Sequence, residues 1–381
     1  MTAVAAAVEN PSDLPFEETV MAPAVPPSPL RLALRRLWGG GLFGTPLNSV
    51  ITLAYLGFIA VVVWPFLDWA LVKAVWTGNG DACRQEVGQG ACWAFVADKI
   101  RFILFGLYPG PEQGRSAAAL LVMAGLIVAT GIPALWRWPL LVAWGVGMAV
   151  VVILLGGGFG LAPVATDVWG GMTLSLLVFV AGVLMAAPLA VALALARRSK
   201  MGGLRLLSVL GIEITRGIPF IAVLYAATLL FPLMLPAGAA VDKLLRAQIA
   251  VSIFVAAFLA ETLRAGLQAV PKGQYEAAYA LGLSRWQTLR RIILPQAIRT
   301  VIPGIVNILL NVFQDTSLVL VIGLFDFLNA ARVAANDTEW MGRHDEAYAF
   351  AALVYFTLCF FGSRYSLWLE RHVSPHRRES R

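Results

Sequence analysis

The feature that most restricts the folds open to this chain is a series of apolar runs, each long enough to cross a lipid bilayer. A helix rises about 1.5 Å per residue, so about 20 apolar residues span a hydrocarbon core about 30 Å thick. Eight such runs are visible, at roughly 49–72, 116–135, 139–157, 170–195, 217–236, 245–267, 301–325 and 347–369. Lipid offers no partners to backbone amides, so spans of this length are helices. Of the 381 residues, 59% are hydrophobic and 13% charged, whereas an ordinary soluble domain carries about a quarter charged residues. The expected fold is all-α: a polytopic membrane protein with about eight transmembrane helices.

The first run starts well inside the chain, behind a tail containing Pro11, Pro15, Pro23, Pro26, Pro27 and Pro29. It is therefore not read as a cleavable signal peptide, and the tail is expected to be disordered. Eight spans place both termini on one side. With both termini cytoplasmic, most of the 29 Lys and Arg residues fall on inside segments, among them Arg197, Arg198, Lys200, Arg205, Arg285, Arg290, Arg291 and Arg299. That is the bias expected of cytoplasmic loops. The net charge of +7 is then a topology signal. Nucleic-acid binding would require a basic, aromatic-studded soluble surface, and none is visible. Cys83 and Cys92 share the first outside loop, where they are either a disulfide or two unpaired thiols. Cys359 lies in the last span. The three histidines, His344, His372 and His376, are scattered, so no metal site is expected.

Three regions are expected: a cytoplasmic Pro-rich tail (1–48), accessory transmembrane helices with a periplasmic loop (49–164), and a five-span core (165–375). Asp68 is the one acid within the accessory spans, which read as plain anchoring. A long inside segment interrupts the core. Within it, residues 271–297 carry helix formers from Gln274 to Leu281, broken by Gly282, which tolerates the left-handed conformation that ends helices. Ser284 with Gln287 three residues later is a capping-box signature. The next helix puts Trp286, Leu289, Ile292 and Ile293 on an apolar side, with Arg290 and Arg291 beside them. Pro295 suits a helix start or a turn. The segment therefore reads as helix, sharp turn, helix: a docking element able to pass motion from a soluble partner to the flanking spans.

The spacing Glu276-Ala277-Ala278, Gly282, Ile292, Leu294-Pro295 resembles the EAA loop of ABC importer permeases. The resemblance extends over about 165–375. Glu213-Ile214-Thr215-Arg216-Gly217-Ile218-Pro219 is similar to the R-G-T-P segment of the polar amino-acid branch, with Ile218 in place of Thr. Ala260-Glu261-Thr262-Leu263-Arg264 is similar to its A-E-x-x-R segment. Asp315-Thr316-Ser317-Leu318 is similar to its K-D-T-S-L segment, with Gln314 where Lys is usual. The added front spans and total length resemble the larger, M-type permease of general L-amino-acid importers. The resemblance implies a permease core of five helices in a bacterial inner membrane. It implies that Glu276, Ala277, Ala278, Gly282, Leu283, Ser284, Ile292, Leu294 and Pro295 seat against a dimeric ATP-binding subunit. It further implies a second permease subunit of different sequence, a periplasmic amino-acid-binding protein and surrounding lipid. No phosphate-binding G-x-x-x-x-G-K-[ST] motif occurs, so no cofactor is expected on this chain, and ATP with Mg belongs to the partner.

Charged and polar groups inside a bilayer need a reason. Asn307, Asn311, Gln314 and Asp315 recur at helical spacing on the seventh span, with Thr316 and Ser317 following. Asp315 is expected near mid-span, able to bind a substrate ammonium; the alternative is polar glue between helices. Glu261 and Arg264 are three residues apart and either neutralise one another or bind the two charged ends of an amino acid. Arg216 and Pro219 flank the fifth span, where Arg216 is either a lipid-phosphate ligand or part of an inner gate. The expected function is a transporter subunit, not an enzyme, moving L-amino acids at the expense of ATP hydrolysed elsewhere. Two rivals are an ion-gradient-driven secondary transporter, which would show internal repeats, and a membrane enzyme, which would need a catalytic cluster. Neither feature is visible.

Overall fold

The computed structural model describes residues 42–85, 90–236 and 241–373. The Pro-rich stretch of the tail and the C-terminal His376 lie outside the described residues. The chain forms two compact units, 1–72 and 73–381. The first contains helix α1, Pro46–Leu67, whose N-cap Thr45 accepts a hydrogen bond from the Asn48 amide at 3.1 Å. Near its end Pro65 cannot donate to the helical ladder, and the helix widens into a π-turn over Asp68–Val72. No residue of Pro46–Leu67 is buried.

The second unit is almost wholly helical. Its elements are α2 (Gly80–Gln85), α3 (Trp93–Phe105), α4 (Gln113–Thr130), α5 (Trp138–Gly156), α6 (Gly171–Arg197), α7 (Gly202–Gly217) and α8 (Phe220–Leu233). There follow α9 (Lys243–Ala269), α10 (Lys272–Ala280), α11 (Arg285–Thr288), α12 (Leu294–Asp315), α13 (Phe327–Ala334) and α14 (His344–Val373). Among the described residues seven helices are long and apolar enough to cross a membrane, or eight if α7 and α8 count as one bent span. The expected fifth span, 217–236, is where sequence and structure diverge. Its helix begins only at Phe220 and meets α7 at 109°. Pro219 is the cause: it holds Ile218 extended (φ −97°, ψ 134°), and α7 stops there. Hydropathy misses α7 because Arg205, Glu213 and Arg216 interrupt its apolar residues.

Helix α9 is the axis of the bundle. Ala247, Ala250, Ala256, Ala257 and Ala260 along it, and Ala186, Ala190 and Ala194 on α6, are all buried. Between lipid-embedded helices there is little hydrophobic gain, so close van der Waals contact of small residues carries the packing. At Gly182 an added Cβ would lie 2.7 Å from Val251 Cγ1.

At the end of the bundle remote from α10, residues 73–85 and 90–105 fold into a cap. Cys83 and Cys92 form a disulfide, which settles the alternative the sequence left open. The Cys92 amide donates to Glu346 Oε1 (3.0 Å), Glu346 pairs with Arg343 (3.4 Å), and Arg343 Nη2 donates to the Cys83 carbonyl. A buried ion pair is tolerable only when its remaining lone pairs and protons are satisfied, and these backbone groups satisfy them. Lys99 bridges Asp98 (3.2 Å) and Asp337 (3.0 Å). Phe95 and Ile103 pack with Met172, Phe327, Trp340 and Ala347. Likewise Tyr108, Met123 and Leu155 share a cluster with Leu174 and Val251. The part of the second unit before α6 and the core are thus packed through common hydrophobic clusters.

The start of α6 is joined by backbone to the segment that precedes α13. Gly170 and Gly171 bridge in parallel to Phe325 and Asp326, and Gly106 and Gly171 adopt positive φ (62° and 65°). Asp326 is fully buried and caps α13, accepting from the amides of Leu328 (2.9 Å) and Asn329 (3.3 Å). Burial pushes its carboxyl up from 3.8 to about 7. A raised pKa means that the folded state favours the protonated acid. This stabilisation is complete below the unfolded value and is lost as pH rises through about 7. The melting temperature of purified protein should therefore fall between pH 4 and 7 more steeply than that of Asp326→Asn; identical slopes would contradict the assignment.

Candidate functional site

The residues 271–297 form the hairpin expected of them. Helix α10 ends in a Schellman motif: the Leu283 amide donates to the Ala278 carbonyl (3.1 Å) and the Gly282 amide to that of Tyr279 (2.9 Å). Gly282 has φ +72°. Helix α11 opens with the capping box, Gln287 N to Ser284 Oγ at 3.3 Å and Ser284 N to Gln287 Oε1 at 2.9 Å. A π-turn at Leu289–Ile293 leads into α12, with Pro295 in its first turn, where a missing N–H is harmless.

One face of the hairpin is fixed to the bundle. Ala278 and Ile293 are buried, and Tyr275, Leu289 and Ile292 pack on a cluster of Leu267, Val270, Ile293 and Ala297. Of the nine positions singled out from sequence, Ala278 therefore points inward and Ile292 is half-buried. Glu276, Ala277, Gly282, Ser284, Leu294 and Pro295 are exposed, and Leu283 is half-buried. Trp286, read as part of an apolar side, is turned out with 67% exposure, and Leu281 reaches 78%. Large apolar side chains held at the tip of a capped hairpin form a surface suited to a protein partner. Sequence reasoning missed Leu281 and Trp286 as surface residues because it saw only that they are apolar.

About two to three turns before the hairpin lies a chain of charges. Arg264 binds both carboxylate oxygens of Glu261, through Nε at 2.8 Å and through Nη2. Arg197, the last residue of α6, places Nη1 3.1 Å from Glu261 Oε2 and Nη2 2.9 Å from Glu213 Oε1 on α7. Arg216 is 3.7 Å from Glu213 and lies over the Phe258 ring, 5.6 Å from its centroid. Of the two readings of Glu261 and Arg264, mutual neutralisation describes their geometry here. Arg216 is drawn into the same cluster, while Pro219 is exposed at the bend before α8. Arg197 and Glu213 were not foreseen as partners; their only sequence signal is an ionisable side chain at the end of an apolar run.

On α12, Asn307, Asn311 and Gln314 are exposed along one face. Gln314 Nε2 approaches Cys359 Sγ at 3.3 Å. Asp315 is half-buried and makes no hydrogen bond or ion pair among the described residues. It is the last residue of α12, which then tightens into a 3-10 helix over Thr316–Ile322. The hydroxyls of Thr316 and Ser317 donate to the carbonyls of Phe313 (2.7 Å) and Gln314 (2.8 Å) at that transition. Stripe and charge chain exchange no hydrogen bond among the described residues. No group of three or more His, Cys, Asp or Glu side chains is placed to hold a metal ion among them.

The family model described as "Binding-protein-dependent transport system inner membrane component" matches residues 186–375. The chain is 41% identical over 344 residues to the inner membrane amino-acid ABC transporter permease protein YhdY of Escherichia coli (strain K12), covering 88% of this chain and 92% of that one. It is 34% identical over 439 residues to the glutamate/glutamine/aspartate/asparagine transport system permease protein BztC of Rhodobacter capsulatus, covering 96% of this chain and all of that one. A crystal structure of an amino acid ABC transporter with histidines aligns with 53% of this chain at 28% identity and a TM-score of 0.49.

Proposed function

The chain belongs to the binding-protein-dependent transport system inner membrane component family, and from that premise we propose how this permease couples to its partners and where its substrate passes. It is a multi-pass inner-membrane subunit of an amino-acid ABC importer, not an enzyme. The hairpin of α10 and α11 docks on the ATP-binding subunit. Glu276, Ala277, Gly282, Ser284 and Leu294, with Leu281 and Trp286, form the contact, while Ala278, Ile292 and Ile293 hold the hairpin against α9 and α12. The observation that carries this reading is the pairing of a rigid, doubly capped turn with exposed apolar residues at its tip.

Both ends of the chain are cytoplasmic in this reading, and the cap faces the periplasm, where a binding protein delivers the amino acid. A second permease chain of different sequence completes the pore. ATP with Mg is bound by the partner ATPase alone. The unpaired carboxylate of Asp315, with Asn307, Asn311 and Gln314 along the same helix, supplies acceptors for a zwitterionic substrate. ATP closure would draw the hairpins together and open the pore outward; hydrolysis would return it inward. Nothing favours the gradient-driven alternative.

The test is reconstitution of the complex purified from native membranes. ATP-dependent uptake should be supported by a mixture of L-amino acids and absent without the ATP-binding subunit. Asp315→Asn should assemble normally yet lower uptake about ten-fold, the equivalent of about 1.4 kcal/mol of lost substrate interaction. Wild-type uptake without the ATPase would sink the coupling assignment, and unimpaired uptake by Asp315→Asn would remove Asp315 from the pathway.

A further inference from the structure

The charge chain has a particular connectivity. Read from one end, it runs Arg216, Glu213, Arg197, Glu261, Arg264, with Gln268 accepting from Arg264 Nη1 at its far end. Two of its pairs are local. Arg216 with Glu213 is an i,i+3 pair within α7, and Arg264 with Glu261 is an i,i+3 pair within α9. Among the ion pairs only Arg197 joins different helices, while Arg216 of α7 also stacks over Phe258 of α9. The Nη2 of Arg197 lies 2.9 Å from a carboxylate of α7 and its Nη1 3.1 Å from one of α9, the latter an ion pair without hydrogen-bond geometry, and the guanidinium itself ends α6. A planar guanidinium can span two carboxylates in one fixed fork, which an ammonium cannot reproduce. Its side chain is 19% exposed and that of Glu261 20%, so this link is only partly open to solvent, whereas Glu213 is 51% exposed. The inner link is screened least and the outer one most.

The position of the link matters as much as its geometry. Glu261, Arg264 and Gln268 sit on the last turns of α9, which leads directly into α10. A displacement of the hairpin reaches this part of α9 at one end and α12, through the π-turn at Leu289–Ile293, at the other. We infer that Arg197 is a positioning residue that makes the bent α7 element move with α9, so that force entering at the hairpin reaches α7 and the turn into α8. This inference rests on the hairpin being the ATPase contact.

The connectivity also predicts what removal does. Without Arg197, two acids and two guanidinium groups remain, arranged as two balanced pairs, each inside its own helix. Arg197→Gln should therefore fold and insert, since it leaves no unpaired carboxylate in the cluster, while the ion-pair tie between helices is cut and the Arg216–Phe258 contact remains. Glu213→Gln cuts the same tie from its exposed end and serves as an independent variant. Arg197→Lys keeps the charge but loses the fork.

The experiment uses the reconstituted complex, measuring ATP hydrolysed per amino acid imported. Spin labels at Leu207, 71% exposed on α7, and Tyr279, 49% exposed on α10 of the hairpin, report the distance between the two elements. They are introduced in a Cys359→Ser background, where the disulfide-bonded pair takes no label. In otherwise wild-type protein this distance should be the same without nucleotide and with ATP. In Arg197→Gln and Glu213→Gln it should change between those states. ATP consumed per substrate should rise at least about five-fold, the low end of typical coupling between sites, while ATPase binding and basal hydrolysis persist. Arg197→Lys should fall between wild type and Arg197→Gln. A wild-type ratio in both cutting variants, or a distance that already changes in wild type, overturns the inference. If the wild-type complex binds no ATPase, the reading beneath it has failed instead, and that result appears before any variant is made.

Discussion

Gly282→Pro should leave the membrane bundle intact and abolish docking of the ATP-binding subunit. Gly282 stands at φ +72°, and its amide donates to the Tyr279 carbonyl at 2.9 Å. Proline fixes φ near −65° and has no amide hydrogen, so it removes both the turn and one of the two bonds that close α10. The expected loss is about 3 kcal/mol at the turn, which, if taken wholly from docking, weakens the ATPase contact roughly a hundred-fold. Gly282→Ala separates conformation from crowding. No atom lies within 4 Å of an added Cβ there, so alanine meets only the cost of a left-handed backbone, about 1–2 kcal/mol. The order expected in a detergent pull-down is therefore wild type, Gly282→Ala, then Gly282→Pro, with equal amounts of permease in the membrane. Equal recovery of the ATPase with all three would show that the turn does not set the docking surface.

The second large effect is expected at the opposite end. An alanine Cβ at Gly171 would lie 2.6 Å from the Phe105 backbone nitrogen, with the Leu104 carbonyl closer still. At Gly106 it would lie 2.7 Å from Gly170 Cα. These are backbone atoms, which cannot rotate away as a side chain would. Both glycines also occupy positive φ. Strain and overpacking together should cost about 2–5 kcal/mol for Gly171→Ala. Thermal unfolding of purified protein should show this as a lowered midpoint, and Cys83 and Cys92 should become reachable by thiol reagents after mild reduction. Gly110→Ala is the control, since nothing lies within 4 Å of its added Cβ. A Gly171→Ala protein melting with the control would mean that the seam is looser than its contacts imply.

The hairpin was legible in the sequence because every determinant is local: Gly282, the Ser284–Gln287 box and Pro295 act within a few residues of themselves. The long spans were legible for the same reason. The bent pair α7 and α8 was only half legible. Pro219 marks the break, but α7 is too charged for a hydropathy window to register. The charge chain could be read only as its i,i+3 fragments. Arg197 lies far along the chain from Glu261, and nothing in a single sequence says which acid it meets. The cap was missed for a different reason. Arg343 and Glu346 look like loop charges, and only the fold reveals that they are buried against Cys83 and Cys92.

The bond from the Cys92 amide to Glu346 joins residues 254 positions apart. A ribosome adds about 5–20 residues per second, so tens of seconds at minimum rates, and more than ten at the fastest, separate the appearance of the two partners. During that interval the front helices are already in the membrane while their extramembranous segment lacks the groups that bury it. Its thiols remain accessible to oxidation catalysts, and its backbone is open to proteases. Completion of the chain therefore closes the cap, and a molecule truncated before Glu346 would carry that segment in a degradable form.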